Sequence, residues 1–254
     1  MILAIDIGNS NIVIGILEKQ QVLFEERLST NHRHTEVEYA IAIKNILDLN
    51  HIEPSHIEGG ILSSVVPPIS NTVKKAAEKI LGKSILQVGP GLKTGLNLKV
   101  DNPSSLGSDR VVDAVAAIYH YPSPLIIFDM GTATTISAID HDGSYLGGVI
   151  LPGVKVALDS LTKSTSQLPK ISLEAPKNTI CTNTVDSMKS GVIFGNASLI
   201  DGMIERISKE LEGDVTVIAT GGLSRFILPY CKNKIIYDGT LLLKGLSLLY
   251  QKNR

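Results

Sequence analysis

Two short stretches of this chain carry residue types that could handle phosphate. They are Asp6-Ile-Gly-Asn-Ser-Asn11 and Asp129-Met-Gly-Thr-Ala-Thr134, 123 residues apart (129 − 6), about half of the 254-residue chain. Each follows an apolar run, passes through Asp-x-Gly, and continues with small polar residues. A glycine just beyond a strand lets the backbone come close to a phosphate. Backbone N–H groups in such a turn, with Asn9, Asn11, Thr132 and Thr134 beside them, can cradle anionic oxygens. Asp6 and Asp129 would repel bare phosphate, so a cation must mediate. One such turn alone reads as an ordinary hairpin. Two in matching positions point to a nucleotide site and to a duplicated domain.

Other chemistry is less well supported. Gly82-Lys83-Ser84 resembles the end of a P-loop, but Ala77 stands where its first glycine is needed. A helix C-terminal glycine followed by a loop is the better reading. No protein-kinase HRD or DFG signature occurs. His32 and His34 fall in a polar loop, and His51, His56, His120 and His141 have no metal-ligand spacing. Cys181 and Cys231 form no CxxC pattern, which reads as a reduced, cytosolic setting.

The elements that must position the two turns follow from periodicity. Ile2–Asp6, Ile12–Leu17 and Val22–Leu28 read as three strands, and Leu125–Asp129, Thr135–Ile139 and Tyr145–Leu151 repeat the pattern. A helix is expected from Glu36, with Thr35 and Glu38 at capping-box spacing. A strand over 57–66, a helix after Pro67-Pro68 and a short strand Ile85–Val88 come next. Residues 89–110 read as linker and loop. A helix from Arg110 to Tyr121 and a long one from Thr184 to Glu212 follow, the latter with Met188, Val192, Leu199, Met203, Ile207 and Leu211 on one side. Gly191 and Gly195 on it suit close helix packing, across a dimer. A strand Val215–Ala219, a turn Thr220-Gly221-Gly222 and a helix 240–250 close the chain.

Composition sets the frame. Hydrophobic residues at 43% allow a sizeable core, and 19% charged residues argue against disorder. A formal net charge of −1 gives no electrostatic footprint for nucleic acid. The apolar start lacks a basic leader region, and no apolar run approaches a membrane span.

Five segments in order carry a family resemblance: Asp6–Asn11, Gly107-Ser-Asp-Arg110, Asp129–Thr134, Gly147-Gly-Val-Ile-Leu-Pro-Gly153 and Thr220-Gly-Gly222. Together they resemble the type III pantothenate kinases, over essentially the whole chain. The Asp-x-Gly turns fix only the actin, Hsp70 and sugar kinase superfamily, and Gly107–Arg110 gives the family. The resemblance implies an α/β fold of two duplicated ribonuclease-H-like domains of the actin-like ATPase kind, with an interdomain cleft. We expect the halves at 1–106 and 107–254. It implies a cytoplasmic homodimer that phosphorylates pantothenate with ATP, toward coenzyme A, using Mg²⁺ and a monovalent cation, K⁺ or NH₄⁺.

Carried over residue by residue, Asp6, Ile7, Gly8, Asn9, Ser10, Asn11, Ile12 and Val13 look like the first phosphate turn. Thr132 looks like a nucleotide contact, Asp129 like the monovalent-cation ligand, and Gly221 and Gly222 like the adenosine-side turn. Gly107, Ser108, Asp109 and Arg110 look like the pantothenate segment, with Asp109 the catalytic base. Thr184 looks like a further pantothenate contact, contributed across the dimer. Val100 stands where many members of the family place a pocket tyrosine, and Ser10 and Ser108 where Thr and Ala are more usual. Asp109 near a helix start should stay ionised and weakly basic. Arg110 suits the pantothenate carboxylate. Two other readings remain open at this point: a kinase of another small hydroxy or carboxylic substrate, and a regulatory accessory protein without turnover on the same fold.

Overall fold

A computed structural model describes residues 1–254. In chain order the elements are β1 (Ile2–Ile7), β2 (Asn11–Glu18), β3 (Gln21–Ser29), α1 (Glu36–Leu49), β4 (Gly59–Ser64), α2 (Pro67–Leu81), β5 (Ile85–Gln87) and α3 (Ser108–His120). The second series is β6 (Leu125–Met130), β7 (Ala133–Ile139), β8 (Tyr145–Pro152), α4 (Val154–Lys163), α5 (Thr184–Leu211), β9 (Thr216–Thr220), α6 (Ser224–Ile227), β10 (Ile236–Tyr237) and α7 (Leu241–Lys252).

The duplication is visible in the sheets. One has the order β3-β2-β1-β4-β5 and the other β8-β7-β6-β9-β10. In each, the first three strands are antiparallel neighbours and the last two join in parallel. The second hairpin is one residue shorter. Ile7 pairs with Ile12 across the first, and Met130 with Thr134 across the second. Thr134 therefore corresponds to Ile12, and Ala133 to Asn11. This corrects the expectation for Thr134, which is only 4% exposed and points into the fold rather than toward a ligand.

Alternation along β1 sorts its side chains. Leu3, Ile5 and Ile7 join Tyr39, Ile43, Leu47, Val73 and Ala77 of α1 and α2 in one core. Ile2 and Ala4 face the other way, against Val112 of α3 and Leu243, Leu246 and Leu249 of α7. Asp6 shares this second face, because side chains alternate with period two. In the second sheet Ile126, Phe128 and Met130 pack against α5, and Asp129 lies on the opposite face.

Local chemistry explains the helix ends. Thr35 and Glu38 form the expected capping box, with the Thr35 amide donating to the Glu38 carboxylate at 2.7 Å. Gly82 ends α2 in the left-handed region at φ 63°, the role the sequence suggested. His141 does structural work that spacing did not reveal. Its Nε2 lies 3.1 and 3.0 Å from the carbonyls of Leu211 and Glu212, at the end of α5.

Several expectations need correction. The 89–110 stretch is not simple linker. Its residues 97–100 are stitched to β8 by Lys99 N–H to Tyr145 O and Tyr145 N–H to Asn97 O, both 2.8 Å. α3 begins at Ser108, two residues earlier than expected. The short helix α4 was not foreseen. On α5, Met188, Ile207 and Leu211 are buried as expected, Leu199 points outward at 38% exposure, and Ile193, Ala197, Ile200 and Ile204 complete the buried side.

The chain divides into two compact units. One comprises Met1–Leu96, Asp101–Tyr119 and Thr240–Arg254; the other comprises Asn97–Val100 and His120–Gly239. The expected domains, 1–106 and 107–254, are each continuous in sequence, whereas these compact units interleave. α3 and α7 belong with the first sheet because their apolar faces cover Ile2, Ala4 and Ile61 there. Gly245 of α7 lets that helix lie directly on the Val112 backbone, where a Cβ would not fit. No helix is long and apolar enough to cross a membrane.

Candidate active site

The first turn is braced from within. The Gly8 amide donates to the Asn11 carbonyl at 3.0 Å, the Thr30 hydroxyl donates to the Gly8 carbonyl at 2.6 Å, and the Thr30 amide to the Ser10 carbonyl at 3.1 Å. Asn9, Ser10 and Asn11 are exposed, and Asp6, Gly8 and Val13 are half-buried. Ile7 and Ile12 are fully buried, so only their backbone remains for any ligand.

The second turn is held differently. Its Gly131 amide donates to the Ala133 carbonyl at 3.0 Å, and the Gly153 amide to the Thr132 carbonyl at 3.1 Å. Gly153 approaches so closely that a Cβ there would strike the Gly131 and Thr132 carbonyls. Gly221, at φ 88°, comes equally close to Met130, whose backbone atoms lie 2.6–2.8 Å from where its Cβ would stand. The two Gly-rich segments of the sequence thus pack against the Asp129 turn. Gly131 itself is different. A Cβ at Gly131 would meet Ala133 O at 3.6 Å and the Asp129 carboxylate at 3.8 Å, ordinary contacts. Protein packing does not demand glycine there; close approach of a ligand backbone-side would. Thr132 is exposed beside it, and Asp129 pairs in register with Thr220, next to Gly221 and half-buried Gly222.

Gly107 to Arg110 start α3. The Val111 amide bonds the Gly107 carbonyl at 3.2 Å, so Gly107 caps the helix and Asp109 sits in its first turn. Asp109 Oδ1 accepts the Arg110 amide at 2.8 Å and lies over Gly107, whose missing side chain makes room for it. Burial pushes the Asp109 pKa above the ordinary carboxylate value, against the opposing pull of the Arg110 amide and guanidinium. This reverses the expected effect of the helix start: desolvation outweighs the N–H groups, and Asp109 is a stronger base than a surface aspartate.

Sequence reasoning missed the surroundings of this segment. Ser63 and Ser64, at the end of β4, contact Ser108, and Ser70 of α2 joins Ser64. Asp113, one turn after Asp109, is 3% exposed. The only available signal was the polar Ser63-Ser64 pair closing an otherwise apolar strand.

The remaining expected residues lie apart in sequence. Val100 is half-buried in the stretch docked on β8. Thr184 is exposed at the start of α5, where Asn183 caps the helix by accepting the Asp186 amide at 2.9 Å. Thr184 borders a groove of about 710 Å³ with Val154, Leu158, Leu161, Met188 and Val192.

Comparison with known proteins gives this arrangement a context. A profile described as type III pantothenate kinase matches residues 2–206. A type III pantothenate kinase of Halalkalibacterium halodurans is 42% identical over 253 residues, covering 100% of both chains. A Campylobacter jejuni structure named as a candidate Baf family transcriptional activator superposes with TM-score 0.59 at 22% identity, covering 99% and 98% of the two chains. Component A of the (R)-2-hydroxyglutaryl-CoA dehydratase of Acidaminococcus fermentans gives TM-score 0.58 at 14% identity, covering 98% and 96%. The last two likenesses concern the fold.

Proposed function

Because this chain belongs to the type III pantothenate kinase family, it phosphorylates pantothenate with ATP, the entry to coenzyme A biosynthesis, and we propose that Asp109 takes the hydroxyl proton in that transfer. The observation that carries the proposal is the half-buried carboxylate in the first turn of α3, whose pKa partial desolvation raises. As the pantothenate hydroxyl oxygen bonds to the γ-phosphorus, the bond to the bridging oxygen breaks and ADP leaves. The proton passes to an Asp109 oxygen. Phosphoryl transfer depends mostly on positioning and charge neutralisation, and a base fixed beside the hydroxyl adds to the positioning.

The other roles follow the same reading. The Asp6–Val13 turn and Thr132 hold the ATP phosphates, and Gly221 and Gly222 flank the adenosine. Arg110 pairs with the pantothenate carboxylate, whose planar shape matches its fork. Gly107, the Ser108 backbone and Val100 line the same substrate. The divalent metal that ATP brings supplies charge neutralisation at the phosphates. No group of three His, Cys, Asp or Glu side chains is placed to hold a metal alone. One carboxylate, Asp6, suits an ion that keeps phosphate and water ligands. Asp129, half-buried against the Gly131 turn, would hold K⁺ or NH₄⁺.

A homodimer fits the outer face of α5. A Cβ at Gly191, Gly195 or Gly202 meets nothing within 4 Å, so these glycines serve no packing inside the chain. A second copy of α5 could approach there and bring Thr184 to a neighbouring site. The accessory reading has only the name of the Campylobacter protein behind it, and at 22% identity that likeness speaks for the fold alone.

An ADP-release assay tests the whole reading. ADP should form only when pantothenate is present, and faster with K⁺ than with Na⁺. Turnover with acetate or a hexose but none with pantothenate would overturn it.

A further inference from the structure

We infer that Ser63, Ser64 and Ser108 form a positioning device that fixes the start of α3, and with it Asp109, to the end of β4. The inference rests on the reading of Asp109 as the base. β5 stops short of β4: its last register pair is Gln87 with Leu62, and the Val88 amide reaches the Leu62 carbonyl at 2.8 Å. Two residues on, the Ser64 N–H and C=O lie beyond any strand on that side. On the other side Val65 N–H already bonds Ile7 O at 3.0 Å. Backbone groups left at a strand end need partners when they are removed from water.

Ser108 supplies them. Its Oγ accepts the Ser64 amide at 3.2 Å and donates to the Ser64 carbonyl at 3.0 Å. One side chain thereby does what a residue of a neighbouring strand would do. Ser63 Oγ lies 3.0 Å from Ser108 Oγ. Since the Ser108 proton is committed to Ser64 O, Ser63 is the donor. The Ser108 hydroxyl then has one donated and two accepted bonds, its full capacity. Ser63 is fully buried, so this bond does not compete with solvent. Ser64 is fixed in turn: its Oγ accepts the Val66 amide at 3.0 Å and the Ser70 hydroxyl at 2.6 Å.

The geometry has a direction. Ser63 pairs with Asp6 in the parallel β1–β4 register, and Ser108 immediately precedes Asp109. The network therefore links the strand end that carries one carboxylate to the helix start that carries the other. Small displacements of a reacting group are costly to rate. Loss of the Ser108 hydroxyl should loosen Asp109 without touching either phosphate turn.

The test is kinetic, with folding checked by thermal melting. Ser108→Ala should lower kcat roughly 5- to 10-fold, the equivalent of one or two net hydrogen bonds, with the KM for ATP unchanged. Ser108→Thr, which keeps the hydroxyl, should restore kcat. Ser63→Ala, a second route to the same network, should give a smaller loss. In an Asp109→Asn background, Ser108→Ala should cost nothing further, because residues acting as a unit are not additive. If Asp109→Asn is impaired but Ser108→Ala and Ser63→Ala keep normal kcat, the positioning role falls alone. A Ser108→Ala loss that multiplies fully with Asp109→Asn overturns it in the same way. If Asp109→Asn itself turns over normally, the base assignment fails and this inference falls with it.

Discussion

Asp6 and Ser63 stand opposite each other in parallel register across β1 and β4, as Asp129 and Thr220 do across β6 and β9. The duplication therefore extends past the hairpin turns to the fourth strand of each copy, where Ser63-Ser64 corresponds to Thr220-Gly221. In both copies a carboxylate at the end of the central strand neighbours a hydroxyl residue at the C-terminal end of a parallel strand. That edge is where open α/β sheets bind ligands.

Asp109→Asn removes the proton acceptor and keeps size and hydrogen bonding. We expect kcat to fall by roughly 10²-fold or more, with the KM for ATP little changed. Burial raises the Asp109 pKa, so in the unaltered enzyme kcat/KM should drop as pH falls through a value above that of an ordinary carboxylate. Asp109→Asn should lose this acid limb. A variant with near-normal kcat would move the base elsewhere, Asp6 and Asp129 being the other carboxylates at strand ends.

The same residue should act on stability with the opposite sense. A carboxylate whose folded pKa is raised contributes stability below its unfolded pKa and loses it as pH rises through the folded value. At neutral pH the charged, half-buried Asp109 is therefore a burden, and Asp109→Asn should melt at a higher temperature than the unaltered protein. The difference should shrink toward acid pH. Calorimetry at pH 7.5 and pH 4.5, showing instead a lower Tm at neutral pH, would mean Arg110 and the helix start outweigh burial.

Gly131 and Gly221 make a matched pair of tests. The space around Gly131 admits a methyl group, so Gly131→Ala should shift Tm by no more than about 2 °C. Its KM for ATP should still rise by roughly tenfold or more if the turn cradles phosphate. Gly221, at positive φ and against the Met130 backbone, has no such latitude, and Gly221→Ala should lower Tm by about 5 °C or more. Unaltered ATP kinetics in Gly131→Ala would show that the turn holds no phosphate.

Asp129→Asn should weaken activation by K⁺ while leaving the Mg²⁺ requirement in place. Titrating K⁺ against ADP release in both proteins measures this. An identical K⁺ dependence would remove Asp129 from the cation site.

Gly195→Arg places a long charged side chain on the open face of α5. The chain should then run as a monomer in light scattering and lose activity, if Thr184 completes a neighbouring site. A fully active monomer, of either sequence, would rule that sharing out.

Much of this architecture was legible because the repeated Asp-x-Gly turns and the capping box at Thr35 are local patterns. Thr134 was misread because an alignment without a gap hides a hairpin shortened by one residue. α4 was missed because its stripe of Val154, Leu158 and Leu161 is short and follows a Gly-rich strand. The serines at 63, 64, 70 and 108 were invisible for a different reason. Their partnership exists only once β4, α2 and α3 have met, and no spacing records it. The base strength of Asp109 was misjudged on the same ground, since the helix start is local and burial is not.

The contrast in how the two turns are braced has a mechanical consequence. The Asp129 turn is wedged between the bare backbones of Gly153 and Gly221, whereas the Asp6 turn hangs from Thr30 and leaves Asn9, Ser10 and Asn11 to solvent. The turn is clamped by backbone packing in one copy and tied by hydrogen bonds in the other. The exposed residues of the Asp6 turn have room to adjust around a nucleotide, so the Asn9 and Ser10 amides should exchange with deuterium faster than those of Gly131 and Ala133 in the free protein, and slow the most when ATP binds.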